Sequence, residues 1–167
     1  MADRIDIDLT PLVNVVREYA TEFERLTKKK LIEADKVASG ALVASIKTRV
    51  EINGTIYTVW LDSKDYLKYV EYDTRPHFPP PDAMLKWVRE KKSIATREKT
   101  GNKNLPTERQ VAFLVGRKIS EEGTKGIGAV AGTVEELNAV YLKRMEDALY
   151  QSVAQSLPYI HIELRFK

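Results

Sequence analysis

Glu71, Asp73, Arg75 and His77 stand on alternate positions of one short stretch. An imidazole beside carboxylates can act as a general base, with an acid to orient it. Here His77 would take the proton and Glu71 or Asp73 would hold the ring. No nucleophile accompanies them. The chain has no Cys, and no GxSxG, P-loop or GxGxxG can be written. It has only two His, His77 and His161, so no HExxH site is possible and no metal or other cofactor is expected. Glu121-Glu122 and Glu135-Glu136 are adjacent pairs on expected helices. Neighbours there point about 100° apart, which does not make a carboxylate dyad. GTKGIG, from Gly123 to Gly128, lacks the following Lys-Ser/Thr of a phosphate loop. A hydrolase built on Glu71, Asp73 and His77 is therefore the third reading of this chain, and the expectation is a protein that is not an enzyme.

The charge pattern offers a different chemistry. The 167 residues hold 27 Lys plus Arg against 24 Asp plus Glu, a net charge of +3. Between Lys86 and Lys125 there are 11 basic and 5 acidic residues, a net of +6, so the remainder carries −3. A basic middle on a mildly acidic body is either a solvated loop or a surface for a polyanion or an acidic partner. Only Trp87 and Phe113 are aromatic within it, and both fall on apolar helix faces that read as core. Stacking on bases is thus not indicated, and contact with nucleic acid would be to phosphate alone. No helix-turn-helix or zinc module is present.

The elements that position these residues follow from periodicity. No apolar run approaches the ~18–20 residues that span a bilayer. The start, MADRIDIDLT, has acids where a signal peptide has basic and then apolar residues, so no leader is expected there. Arg4 to Leu9 alternates with a period of two and predicts a short strand. Thr10-Pro11 then predicts the start of a long helix to about Ala34, with Thr10 as its cap and Leu12, Val15, Val16, Tyr19, Phe23 and Leu26 on one face. Val37 to Ile46 keeps helical spacing, but Gly40 inside it costs about 1 kcal/mol relative to Ala. A break in the helix or a close neighbour should offset that cost.

Thr48–Ile52 and Thr55–Leu61 read as a hairpin joined by Asn53-Gly54 in a type I′ turn. Apolar residues on both faces of the second strand predict that the sheet is partly covered on both sides. Lys64–Tyr72 is a short helix. His77-Phe78-Pro79-Pro80-Pro81 is a stiff extended arm, and Asp82 should cap a helix over Ala83–Lys92. Ser93–Pro106 is polar and basic without apolar period, and predicts a mobile loop. Thr107 starts a helix that stops near Gly123. Gly126, Gly128 and Gly132 read as a flexible link. Thr133-Val134-Glu135-Glu136 has the form of a capping box for a last helix to about Ser156. Ile160, Ile162, Leu164 and Phe166 alternate as a C-terminal strand. The fold class is α+β: one domain, 1–167, with a small antiparallel sheet of the hairpin plus that strand, packed by a long N-terminal and a long C-terminal helix.

Three features in order carry a resemblance. They are the alternating start with its long helix, the S-G-x-L-x-x-S-I form of Ser39 to Ile46, and Tyr66-Leu67-Lys68-Tyr69-Val70-Glu71-Tyr72-Asp73-Thr74-Arg75-Pro76-His77-Phe78. Over about residues 4–92 this resembles the minor tail and tail-completion proteins of tailed bacteriophages, typified by gene product ten of a lambdoid siphophage. The family has Gly at the position of Asp73, where Asp would keep a left-handed turn accessible. The resemblance implies a non-enzymatic virion protein of the neck, which joins tail to head as one subunit of a ring around the DNA channel. It implies six copies, with twelve as the alternative, and partners among tail-terminator, head-closure and portal-side proteins. The second reading is a basic nucleic-acid-binding protein. The candidate interface residues are Arg75, His77, Phe78, Pro79 and Pro80 on the arm, with Lys91, Lys92, Arg97, Lys99 and Lys103 in the basic stretch.

Overall fold

A computed structural model describes residues 7–156. The chain is α+β, with seven helices and one two-stranded antiparallel sheet among the described residues. The expected C-terminal strand, Ile160 to Phe166, lies outside them, as do residues 4–6 of the expected first strand. Ile7 to Leu9 form no strand.

Helix α1 (Thr10–Glu33) begins one residue before the expectation: Leu9 is the cap residue and Pro11 lies in the first turn. The Asp8 Oδ1 accepts from the Thr10 amide at 2.9 Å. Helix α7 (Ala129–Ser156) runs antiparallel along it. Glu18 meets Arg144, Tyr19 meets Asn138, and Lys30 meets Glu136. Between them Phe23, Leu137 and Tyr141 are buried together, and Tyr19 stands edge-on to Tyr141 with ring centroids 5.5 Å apart. Nearer the end of α7, the small residues Ala148 and Ser152 are buried. Val140, Leu149 and Val153, although apolar, face outward.

Gly40 breaks the second helical run. It takes φ +81° and leaves only Ala41–Ser45 as α2. Leu42 and Ile46 pack on Leu31, Leu67 and Ala129. Strands β1 (Lys47–Asn53) and β2 (Ile56–Asp62) pair from Lys47↔Asp62 to Asn53↔Ile56. That register makes Gly54-Thr55 the turn, one residue later than expected. Only Gly54 has positive φ there (+60°), which excludes type I′ and meets the requirement of type II′. One face of the hairpin packs on α1 and α7 through Val59 and Leu61. Among the described residues nothing covers the other face, contrary to expectation. Ile56 and Trp60 are exposed on it, and the Trp60 indole donates to Glu51 Oε2 at 2.9 Å under the Arg49 guanidinium.

Helix α3 (Leu67–Glu71) leads into the arm, and α4 (Pro81–Glu90) starts at the third proline, where a missing N–H costs nothing. Helix α6 (Glu108–Glu122) starts where expected, and Thr107 proves to be its cap, reciprocated by Gln110. α4 and α6 bury Met84, Val88 and Ala112 between them. Trp87 packs at the edge of that cluster, but Phe113 is exposed, contrary to its reading as core. Residues 93–106, the expected mobile loop, connect α4 to α6. They carry the short helix α5 (Arg97–Thr100), capped by Thr96, whose side chain is fully buried. The α4–α6 lobe leaves the body after Thr74 and returns at Thr124, and these two residues bridge each other.

Candidate functional site: the α3–arm junction

The residues of the third resemblance motif form a two-sided shelf. Its inner side holds the start of α7. The Glu71 carboxylate accepts from the Val130 amide at 2.8 Å and from the Ala131 amide at 2.9 Å. A helix N-terminus leaves such amides unpaired, and a carboxylate there also meets the positive end of the dipole. Main-chain bonds from Ile127 to Val70 and from Gly128 to Glu71 fix the approach. Asp73 Oδ1 accepts from the Gly126 amide at 2.9 Å. Thr74 and Thr124 share a hydroxyl contact of 2.7 Å and a backbone bond of 2.8 Å.

This overturns three expectations. The stretch of Gly126, Gly128 and Gly132 is packed rather than a loose link: a Cβ on Gly126 would lie 2.4 Å from the Glu71 carbonyl oxygen, the Gly128 amide donates to that oxygen, and Gly132 lies inside α7. α7 starts at Ala129, so Thr133 is no cap. It is buried inside the helix, with its hydroxyl donating to the Ala129 carbonyl at 2.7 Å. Asp73 does not take a left-handed backbone; its side chain rather than its φ does the work.

The outer side of the shelf is open. Tyr69 and Tyr72 are 57% and 68% exposed, with the Lys68 amine 5.0 Å from the Tyr69 ring centroid. With Arg75, His77, Pro79 and Pro80 they line a groove of about 840 Å³ that reaches Ile119 on α6. His77 Nδ1 lies 2.8 Å from the Arg75 carbonyl oxygen, which fixes the ring against its own turn. Both carboxylates of the expected His77 site, Glu71 and Asp73, are turned to α7-side amides. The groove therefore offers rings, prolines and one guanidinium on a rigid support, which is the chemistry of a contact surface.

The other candidates part company. Phe78 leaves the groove and lies on α6, its ring beside Gly116 and 6.3 Å from the Phe113 ring. It remains 49% exposed. Lys91 is buried, and its amine binds the carbonyl oxygens of Asp35 and Val37 and the Asp35 carboxylate, the last at 2.7 Å. That ammonium holds the Asp35 carboxyl below the usual carboxylate range. The Lys99 amine turns inward onto the carbonyl oxygens of Val88, Lys91 and Ile94, at 2.5, 2.6 and 3.1 Å. The first two lie at the end of α4, where a cation is favoured, and the Lys91 carbonyl also accepts from the Ile94 amide at 3.3 Å. Arg97 reaches the Leu105 carbonyl at 3.4 Å. Lys92 and Lys103 are exposed. The arm candidates Arg75, His77, Pro79 and Pro80 are thus brought together, and the basic candidates are dispersed.

Sequence reasoning missed Tyr69 and Tyr72 as surface residues and Glu71 as the cap of a helix far along the chain. Compared with protein-family models, curated proteins and solved structures, the chain matches none. No described helix is long and apolar enough to cross a membrane.

Proposed function

We propose that this protein is a structural subunit of a tailed-phage neck, one copy in a ring that joins tail to head around the DNA channel. The observation that carries this reading is the shelf. The stretch that resembles the tail-completion family spends Glu71, Asp73 and Thr74 on rigid support and leaves Tyr69, Tyr72, Arg75 and His77 facing an open groove. A backbone fixed by prolines and by paired amides loses little entropy when a partner docks. The groove would take a neighbouring neck or tail protein, and virion localisation follows from the same reading. The nucleic-acid alternative has less to stand on, because the amines of Lys91 and Lys99 are engaged within the fold.

The test is to purify virions of the phage that encodes the chain and to block its synthesis with a nonsense mutation. The chain should be found in virions by mass spectrometry, and the mutant should yield filled heads and separate tails by negative-stain microscopy. Normal infectious particles without the chain would overturn the reading.

A further inference from the structure

The groove beside α3 is rich in donors and short of acceptors. Among the described residues, the Arg75 guanidinium, the Lys68 amine and the hydroxyls of Tyr69 and Tyr72 have no hydrogen-bond or ion-pair partner, apart from the contact of Lys68 with the Tyr69 ring. A guanidinium and an ammonium only donate, and a phenol has one proton to give. Few groups stand ready to accept. Asp73 has its Oδ1 on the Gly126 amide, which leaves Oδ2, and the Thr74 and Thr124 hydroxyls hold each other. The Arg75 carbonyl can only accept, so His77 Nδ1 carries the proton there, and Nε2 alone accepts in the neutral ring. The arm gives no edge for strand addition. Its Thr74 amide is bonded to the Thr124 carbonyl and its His77 amide to that of Ile119.

An ordinary peptide brings one N–H for each C=O, and its N–H groups would go unpaired against such a lining. A polyproline II segment has carbonyls free of internal bonds, and its prolines have no N–H at all. Its rings need flat apolar walls, which Tyr69, Tyr72, Pro79, Pro80 and Ile119 supply. Aromatic-lined grooves take proline-rich segments in this way, because the segment is extended before it binds and loses little entropy. Lys68 and Arg75 against Asp73 leave the lining with one excess positive charge, which calls for an acid beside the prolines. A nucleic-acid strand would stack on the same tyrosines, but it carries a charge at every phosphate, more than this lining balances. The Pro79-Pro80-Pro81 run of another copy is not the occupant, since Pro79 and Pro80 build the groove wall and Pro81 opens α4.

We propose that this groove binds a proline-rich segment of another protein, in polyproline II form and with an acidic residue next to its prolines. Proline rings lie on Tyr69 and Tyr72, the two phenols and Lys68 donate to the segment's carbonyls, and Arg75 holds the acid. The assignment rests on the groove being a docking surface, as the neck reading has it, and gives that surface the chemistry of its partner.

A fluorescein-labelled peptide of three Pro-Pro-Pro-Glu repeats should bind the full chain saturably in fluorescence anisotropy. Tyr72→Ala and Arg75→Glu should each weaken it by at least about tenfold, the usual effect of losing an interface anchor. Both variants should melt as the wild type does, because neither side chain is hydrogen-bonded among the described residues. Arg75→Glu should also prefer a Pro-Pro-Pro-Lys peptide to the Glu peptide, the reverse of the wild type. Absence of saturable binding overturns the proposal. Equal binding of a Gly-Ser-Gly-Glu peptide of the same length and charge overturns it too, by removing proline from the recognition. Equal binding of a twelve-nucleotide oligo-dT overturns it by assigning the groove to nucleic acid. The peptide result and the presence of the chain in virions are read separately, so either proposal can fail while the other stands.

Discussion

Where α1 meets α7, Phe23, Leu137, Tyr141 and their neighbours bury large side chains in a continuous layer that also supports the hairpin. Where α4 meets α6, the buried residues are Met84, Val88 and Ala112, and much of the remaining closure is polar. Lys99 caps the end of α4, Lys91 ties that end to Asp35, and Thr96 caps α5. Burial scales with apolar area and is indifferent to direction, whereas these amines each depend on particular carbonyls within hydrogen-bond reach. The body should therefore yield gradually to substitution, and the lobe abruptly at a few polar positions. Between them stands the Glu71–Thr74 shelf, on which both the start of α7 and the return of the lobe depend.

The largest effect should come from cutting that link. Glu71→Ala removes the acceptor of two helix amides and leaves them buried under the shelf. Hydrogen bonds to charged groups contribute about 1.5–3 kcal/mol each, with partial compensation by water once the side chain is gone. A loss of roughly 2–4 kcal/mol in denaturant unfolding is expected, with body and lobe affected together. A loss confined to the lobe would show that α7 does not need this cap.

Next in size is the lobe alone. Lys99→Met keeps the aliphatic stem and deletes the amine, leaving the carbonyls of Val88, Lys91 and Ile94 without it. Hydrogen exchange in residues 81–122 should rise by about tenfold or more, as expected for a local cost on the order of 1–3 kcal/mol, while α1 and α7 amides stay protected. In the wild type the bond after Lys99 should resist trypsin longer than those near the termini. Early cleavage there would mean that the 93–106 segment is open in solution and that its contacts are not persistent.

A smaller effect tests how the hairpin is tied to the body. Glu24 accepts from Lys28 at 2.6 Å and from the Thr48 amide at 2.9 Å, and these contacts hold its carboxyl at about 2, against an ordinary 4.5. A carboxyl depressed in the folded state stabilises the protein fully above its unfolded value and loses that contribution as the pH falls toward the folded one. The wild type should lose stability from about pH 4.5 down toward about 2. Glu24→Gln should cost about 1–2 kcal/mol at neutral pH and show a flatter profile over that window. Parallel profiles would remove Glu24 as the anchor of β1.

How much of this was legible depended on how local each cause is. The hairpin, α1 and the start of α6 at Thr107 are set by residues within one turn or one strand of each other, and periodicity and helix-start signals found them with shifts of a residue. α7 failed for the opposite reason. Its cap, Glu71, lies 59 residues away from Val130 in the chain, while Thr133 and Glu136 imitate a local capping box inside the helix. Of the candidate site, Arg75, His77, Pro79 and Pro80 do share one groove, because prolines hold the arm in a single path. Tyr69 and Tyr72 were not separable from core tyrosines by spacing. Lys91 and Lys99 read like any solvated lysine, since nothing in sequence shows which free carbonyls a long side chain will reach.

The smallest expected effect separates the two regions from inside the body. Thr27 is fully buried on α1, and its hydroxyl has no hydrogen-bond partner among the described residues. Removing such a group while keeping the shape of the side chain returns part of its desolvation cost, on the order of 1 kcal/mol. Thr27→Val should therefore raise the melting temperature by a few degrees, with exchange slowed along α1 and α7. Lobe amides between residues 81 and 122 should exchange as before if the lobe opens by itself. They should slow in step with the body if the Glu71–Thr74 shelf makes the two unfold as one, and in that case the distinction between area-held and staple-held regions is one of composition only, without a thermodynamic boundary.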